Sequence, residues 1–204
     1  MASKISLPAL SSAVAGGGGV GCLESPLHLV SYNLGGLDGQ GKVVLTELCS
    51  PNLKMGVIML QEHWLSPDLM PHLQNFSPFF TTFGISGMQE KLSSGILKGR
   101  PFGGAALLVH RSLLAATTSL LITERVNVIR IGQILFINVY CPSKSFADRA
   151  VITSLLDEIS CVIGMHPGCE IIMGGDFNVD LRETTPHSKI FLNFIKKVRF
   201  SVGV

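Results

Sequence analysis

One stretch narrows the fold more than any other. Cys169-Glu170-Ile171-Ile172-Met173-Gly174-Gly175-Asp176-Phe177-Asn178-Val179-Asp180 begins as a short apolar run, breaks at two glycines, and then sets an acid and an amide one residue apart. A short apolar run closed by turn residues predicts a buried strand. Paired glycines let the backbone bend sharply or come close to a ligand. Asp176 and Asn178 therefore stand just past a strand end, where α/β folds place their chemistry. A carboxylate there can hold a metal or orient a water. A neutral amide can donate to a phosphate oxygen without adding repulsive charge. The same residues also fit a strand followed by an Asx-type turn.

Three other stretches repeat the arrangement of an apolar strand that delivers a polar side chain at its end. Residues 27–34 predict a first strand with Asn33 near its end, before Gly35-Gly36. Residues 56–64 carry a five-residue apolar run into Gln61-Glu62-His63-Trp64, and a carboxylate so placed suits a hard cation. Residues 133–140 end in Val139-Tyr140-Cys141-Pro142-Ser143. Each has a plain structural alternative: an Asn before a glycine turn, a solvated strand-end acid, an aromatic before a proline turn. His28 and His63 receive no role, and Trp64 fits packing or substrate stacking.

Taken together, in this order and spacing, the Gly-Asp-Phe-Asn, Gln-Glu and Tyr-x-Pro motifs and the strand-end Asn resemble the endonuclease/exonuclease/phosphatase superfamily of metal-dependent phosphodiesterases. Gly-Arg-Pro-Phe-Gly-Gly (99–104) and Gln61-Glu62-His63-Trp64-Leu65 look like its apurinic-type branch from non-LTR retrotransposons. The resemblance covers nearly everything from Leu27 onward. It implies an α/β sandwich of two packed sheets with helices outside. It implies Mg²⁺, or Mn²⁺ in its place, on Glu62 with Asn33 close by. It also implies Asp176 orienting the attacking water and Asn178 and Tyr140 donating to the phosphate of DNA.

Composition supports a folded domain. The chain has 204 residues, 47% hydrophobic and only 15% charged, which argues for a real core and against disorder. No apolar run reaches transmembrane length despite a mean hydropathy of +0.44. A net charge of +2 does not by itself indicate nucleic acid. The five cysteines are odd in number, widely spaced and without a CxxC pair, so a disulfide framework or zinc site is not expected. Cys49, Cys141, Cys161 and Cys169 read as small core residues in a reducing compartment, intracellular and nuclear if the retrotransposon reading holds.

Residues 1–26 are Ala, Ser and Gly rich and predict a flexible leader, with only a faint imitation of a signal peptide; residues 27–204 form the domain. Residues 42–49 predict a short helix and 76–83 a short strand. Residues 86–100 predict an exposed loop carrying Lys91, Lys98 and Arg100. Residues 102–110 predict another buried strand, and 120–130 with 133–140 a hairpin. Val151, Leu155, Ile159 and Val162 predict a crossover helix over 148–165, and Ile190, Phe191, Phe194 and Ile195 a last helix over 188–197.

The resembled family ends with a further Asp and an adjacent Asp-His pair. After Asp176 this sequence offers only Asp180 and His187. The expectation is therefore a domain lacking its last strands and its proton-transfer histidine. Three readings stay open: a retrotransposon-type DNA-nicking phosphodiesterase, a phosphatase on inositol phosphates or lipid head groups, and an inactive relic. The last would at most bind nucleic acid through Lys91, Lys98, Arg100, Lys196, Lys197 and Arg199. Nothing in the sequence indicates an oligomer.

Overall fold

In the computed structural model two β-sheets pack face to face, and helices cover their outer faces. The structure describes residues 3–6, 28–89, 92, 94–95, 102–142 and 149–198. The first sheet has the order β1-β2-β3-β5-β4, from β1 (Ser3–Ser6), β2 (His28–Asn33), β3 (Met55–Gln61), β4 (Phe80–Ile85) and β5 (Ala105–His110). The second runs β6-β7-β8-β9, from β6 (Thr117–Ile122), β7 (Val126–Ile131), β8 (Ile134–Tyr140) and β9 (Glu170–Asp176). Helices α1 (Gly39–Leu48) and α2 (Met70–Gln74) lie against the first sheet, α3 (Arg149–Met165) and α4 (Pro186–Val198) against the second. This is the expected two-sheet α/β sandwich.

Side-chain alternation builds the layers. Every residue of β3 is buried. Val57 and Met59 enter the core between the sheets with Leu29, Leu107, Ile129 and Phe136. Ile58 and Leu60 point the other way, to Leu45 of α1 and Leu73 of α2. A strand buried on both faces is apolar along most of its length, here from Met55 to Leu60, and each large apolar side chain contributes about 1.5–3 kcal/mol. On β8, Leu135, Ile137 and Val139 meet Ile152, Leu155, Leu156 and Ile159 of α3. Leu155, Ile159 and Val162 of α3 face inward as expected, and Ile152 and Leu156 join them in place of Val151. Val151 is left 42% exposed. Cys161, expected in the core, is exposed on the same helix, whereas Cys49 and Cys141 are buried and Cys169 is half-buried; all four are free thiols.

Each sheet contains one parallel pair, and these pairs position the site. β2 and β3 run parallel with Asn33 opposite Gln61; β8 and β9 run parallel with Tyr140 opposite Asp176. Parallel neighbours need a crossover, and α1 and α3 supply the two. Both pairs end at the same edge of the sandwich. Among the described residues β9 is an edge strand, bonded to β8.

Several expectations shift. The run 120–130 divides into β6 and β7, so the predicted hairpin is a three-strand meander. The strand read at 102–110 starts at Ala105, because Gly103 and Gly104 take positive φ of 70° and 88°. The stretch after Ser66 holds the short α2. Within the predicted leader, Ser3–Ser6 form β1, antiparallel to β2; residues 1–2 and 7–27 lie outside the described residues. So do Lys91, Lys98, Arg100, Arg199, residues 99–101 of the glycine-rich motif and Ser143. Among the described residues no helix is long and apolar enough to cross a membrane.

Candidate active site

The two parallel pairs bring Asn33, Glu62, Tyr140, Asp176 and Asn178 into one cluster. Its centre is the Asn33 side chain at the end of β2. Asn33 Nδ2 donates to Glu62 Oε1 at 2.9 Å and to Asp176 Oδ2 at 2.8 Å. Glu62 follows a strand of the first sheet and Asp176 ends a strand of the second, so one amide joins the sheets. Asn33 Oδ1 accepts from Gly35 N–H at 3.0 Å, which fixes the amide with its nitrogen toward the carboxylates.

Glu62 reaches this position through backbone strain. Gln61 points between the sheets, and strict alternation would send Glu62 to the helix side. Instead Glu62 takes a positive φ of 55°, and Trp64 one of 54°. Such a conformation in a residue other than glycine costs about 1–3 kcal/mol and is typical of functional loops. Backbone bonds hold the turn: Gly36 N–H donates to Glu62 O at 2.8 Å and Trp64 N–H to Gly103 O at 3.0 Å. Trp64 Nε1 donates to Glu62 Oε2 at 3.2 Å. Gly36 lies on the indole, since a Cβ there would fall 2.7 Å from Trp64 Cε3.

On the second sheet Asp176 Oδ1 accepts from Asn178 N–H at 3.0 Å, an Asx turn in which Asn178 takes φ of 50°. Asn178 Nδ2 donates to Cys141 O at 2.8 Å, leaving one amide hydrogen for another acceptor. The turn expected from Asp, Asn and Gly is therefore present, and it aims the acid. Gly175, at φ of 145°, has no room for a side chain, because a Cβ would collide with the Val139 carbonyl. Tyr140 sits beside Glu62. Burial first, then the Glu62 charge, pushes its hydroxyl up to about 12, so it remains a donor. The Arg125 guanidinium lies over its ring, 5.7 Å from the centroid.

His63 is not part of this cluster. It is fully buried, its Nδ1 accepts from Leu65 N–H, and its Nε2 lies 3.2 Å from Ile85 O. Burial lowers its pKa to about 4. His187 lies in the first turn of α4. Sequence reasoning passed over three contributors: Trp64 as a partner of Glu62, Arg125 over Tyr140, and the buried amides Gln61 and Asn138 beneath the cluster. A polar residue inside an apolar strand was the available signal for Asn138.

The residues fit a hard divalent cation. Two carboxylate oxygens share one amide nitrogen, so they lie no farther apart than the sum of those two bonds. Among the described residues the side chains of Asn33 and Trp64, which donate to the two carboxylates, are neutral. A carboxylate keeps lone pairs beyond those used here. Among the described residues no three His, Cys, Asp or Glu side chains gather to hold an ion. A His/Cys cage of the zinc kind is therefore excluded among those residues.

No protein-family profile and no curated protein sequence matches the chain. Solved structures do. The 3′ phosphatase NExo from Neisseria, bound to a product DNA hairpin, superposes with a TM-score of 0.57 at 14% identity, over 82% of this chain and 70% of that one. An AP endonuclease from Archaeoglobus fulgidus gives 0.57 at 11% identity, over 84% and 70%. The endonuclease domain of TRAS1, a telomere-specific non-LTR retrotransposon, gives 0.56 at 16% identity, over 85% and 71%. The two-sheet sandwich with its paired parallel strands is thus the fold of the endonuclease/exonuclease/phosphatase superfamily.

Proposed function

We propose that this domain is a Mg²⁺-dependent phosphodiesterase of retrotransposon type that nicks one DNA strand and leaves a 3′-hydroxyl. The observation that carries the reading is the Asn33 amide bridging Glu62 and Asp176 across the two sheets. The fold shared with NExo, the AP endonuclease and the TRAS1 endonuclease domain supports a DNA-processing phosphodiesterase, and the choice of branch rests on the motifs at 61–65 and 99–104.

Glu62 would hold the cation, and Asn33, whose NH₂ faces the carboxylates and whose oxygen is taken by Gly35 N–H, would orient Glu62 and not ligate the ion itself. Bound there, Mg²⁺ supplies neutralising charge for the non-bridging and leaving oxygens of the phosphodiester. Tyr140 donates its hydroxyl to a phosphate oxygen, and the free hydrogen of Asn178 Nδ2 donates to another. Donors aimed where charge develops stabilise the transition state without reorganisation. Asp176, held by Asn33 and by Asn178 N–H, accepts a hydrogen bond from the attacking water and aligns it with the phosphorus–oxygen bond that breaks, and the 3′ oxygen that leaves takes its proton from solvent water. Lys196 and Lys197, in the last turn of α4, are exposed cations available to the DNA backbone.

The test is supercoiled plasmid with purified protein and Mg²⁺. The expected product is open-circular DNA whose nick a polymerase extends directly. Glu62→Gln and Asp176→Ala each abolish it. Intact plasmid alongside hydrolysis of a soluble inositol phosphate would move the substrate to the phosphatase class. No metal-dependent cleavage of either would sink the enzymatic reading.

A further inference from the structure

Directly beneath the cluster, the gap between the sheets is polar where a sandwich core is ordinarily apolar. Asn138, in mid β8, is fully buried and crosses to the first sheet. Its Oδ1 accepts from Gln61 Nε2 at 2.6 Å. Its Nδ2 faces three acceptors: Leu60 O at 2.9 Å, Ala106 O at 3.0 Å and Asn127 Oδ1 at 3.4 Å. Leu60 and Ala106 are register partners of β3 and β5, so one side chain grips two strands of the opposite sheet. Gln61 Nε2 also donates to Ser31 Oγ at 3.2 Å, on β2. Gly174, the register partner of Asn138 on β9, closes the seam: a Cβ there would meet Met59 Sδ at 2.8 Å and Ser31 Cβ at 3.3 Å.

The seam lies one pleat below the cluster. Ser31 precedes Asn33 by two residues, Asn138 precedes Tyr140 by two, and Gly174 precedes Asp176 by two. A strand repeats its face every second residue, so these pairs stack. Gln61 is the residue before Glu62.

We infer that Asn138 and Gln61 are positioning residues that set the spacing between Glu62 and Asp176, and through it the affinity of the cluster for a divalent cation. This rests on the function proposed above. Apolar side chains slide over one another at little cost, whereas buried hydrogen bonds are directional and costly to leave unmade. A sandwich whose two carboxylates come from different sheets needs a device against slip, and the amide seam is placed to be that device. Stability alone does not explain it, since well-packed apolar residues serve a core at least as well as a buried polar pair. Asn33 clamps the carboxylates from above; the seam holds the strands that carry them from below.

The test separates position from folding. The double variant Gln61→Leu/Asn138→Leu removes both partners and leaves no amide of the pair unsatisfied. It does take a donor from Leu60 O, Ala106 O and Asn127 Oδ1, so its Tm should fall by a few degrees while the fold is kept. Its affinity for Mn²⁺, read by electron paramagnetic resonance without substrate, should fall about 10- to 100-fold, the range seen when groups behind metal ligands are removed. The Mg²⁺ concentration for half-maximal nicking should rise with it. Gly174→Ala, whose Cβ still presses on Ser31 Cβ of β2 once the Met59 end has yielded, should lower Mn²⁺ affinity in the same direction and decides the matter if the double variant does not fold. Unchanged Mn²⁺ affinity in a folded double variant, or failing that in Gly174→Ala, would overturn the inference while leaving the proposed function standing. Absence of Mn²⁺ binding by the unmodified protein would overturn both.

Discussion

The Asn33 side-chain nitrogen lies 2.8 Å from Asp176 Oδ2, although Asn33 ends a strand of the first sheet and Asp176 ends a strand of the second. Both residues close a parallel pair, and the two pairs open on the same edge. The cluster is a product of topology before it is a product of side-chain chemistry.

Trp64 is the only tryptophan in the chain, and its indole nitrogen donates to Glu62 Oε2. A cation arriving on Glu62 changes the charge beside that indole. Intrinsic fluorescence should therefore change saturably with Mg²⁺ and yield the dissociation constant directly. Glu62→Gln should abolish the response. A response that persists in this variant would place the cation elsewhere.

Tyr140→Phe removes a hydroxyl donor and little else. If the hydroxyl stabilises developing charge, kcat should fall about 100- to 1,000-fold with little change in KM. The raised value of about 12 also makes a prediction about alkali. The folded protein holds this proton more tightly than the unfolded chain, whose ordinary value is 10.0, so the stabilisation is complete below pH 10 and is lost as pH rises toward 12. In a Tyr32→Phe background, phenolate absorbance should report Tyr140 alone, with a midpoint near 12. A midpoint near 10 would contradict the burial and the Glu62 contact.

His63 makes the opposite prediction at low pH. Its folded value is lowered to about 4 from 6.5 by burial. The unfolded chain binds a proton that the folded ring refuses, so stability is full above pH 6.5 and is lost as pH falls toward 4, by an amount on the order of 3 kcal/mol. Its imidazole resonances should titrate near 4, and Tm should decline across the same window. A midpoint near 6.5 would mean that the ring is not enclosed as described.

The two glycines of the Gly-Asp-Phe-Asn loop should respond differently. At Gly175 a Cβ meets the backbone of Val139, which cannot yield without breaking the β8–β9 ladder. Gly175→Ala should lower stability by about 2 kcal/mol or more, a fall in Tm of roughly 5 °C or more for a domain of this size. At Gly174 the nearest atom is the flexible end of Met59, so Gly174→Ala should cost less. Thermal denaturation ranks the pair, and the reverse order would refute the packing.

The strand ends were legible because their signals are local: an apolar run, a turn and a polar residue within a few positions. Asn33, Glu62, Tyr140, Asp176 and Asn178 could each be picked out that way. What joins them could not. Gln61 and Asn138 are 77 residues apart, and nothing near either names the other as partner. Helix existence was legible and so was most of the buried face of α3, while Ile152 and Leu156 joined that face through what β8 presents to it. The break between β6 and β7 was hidden in one β-rich run, because the turn residues Thr123, Glu124 and Arg125 include neither glycine nor proline.

Among the described residues β9 is hydrogen-bonded to a strand on one side, β8, and all its residues keep some exposure. Asp176 therefore rides on a less enclosed strand than Glu62 does, where local opening should cost less than in β3. Amide exchange along β9 should then outpace exchange in β3, which has a bonded strand on each side. Substrate-binding competence would be governed by a local opening equilibrium of one strand, and global melting temperature would be a poor guide to it.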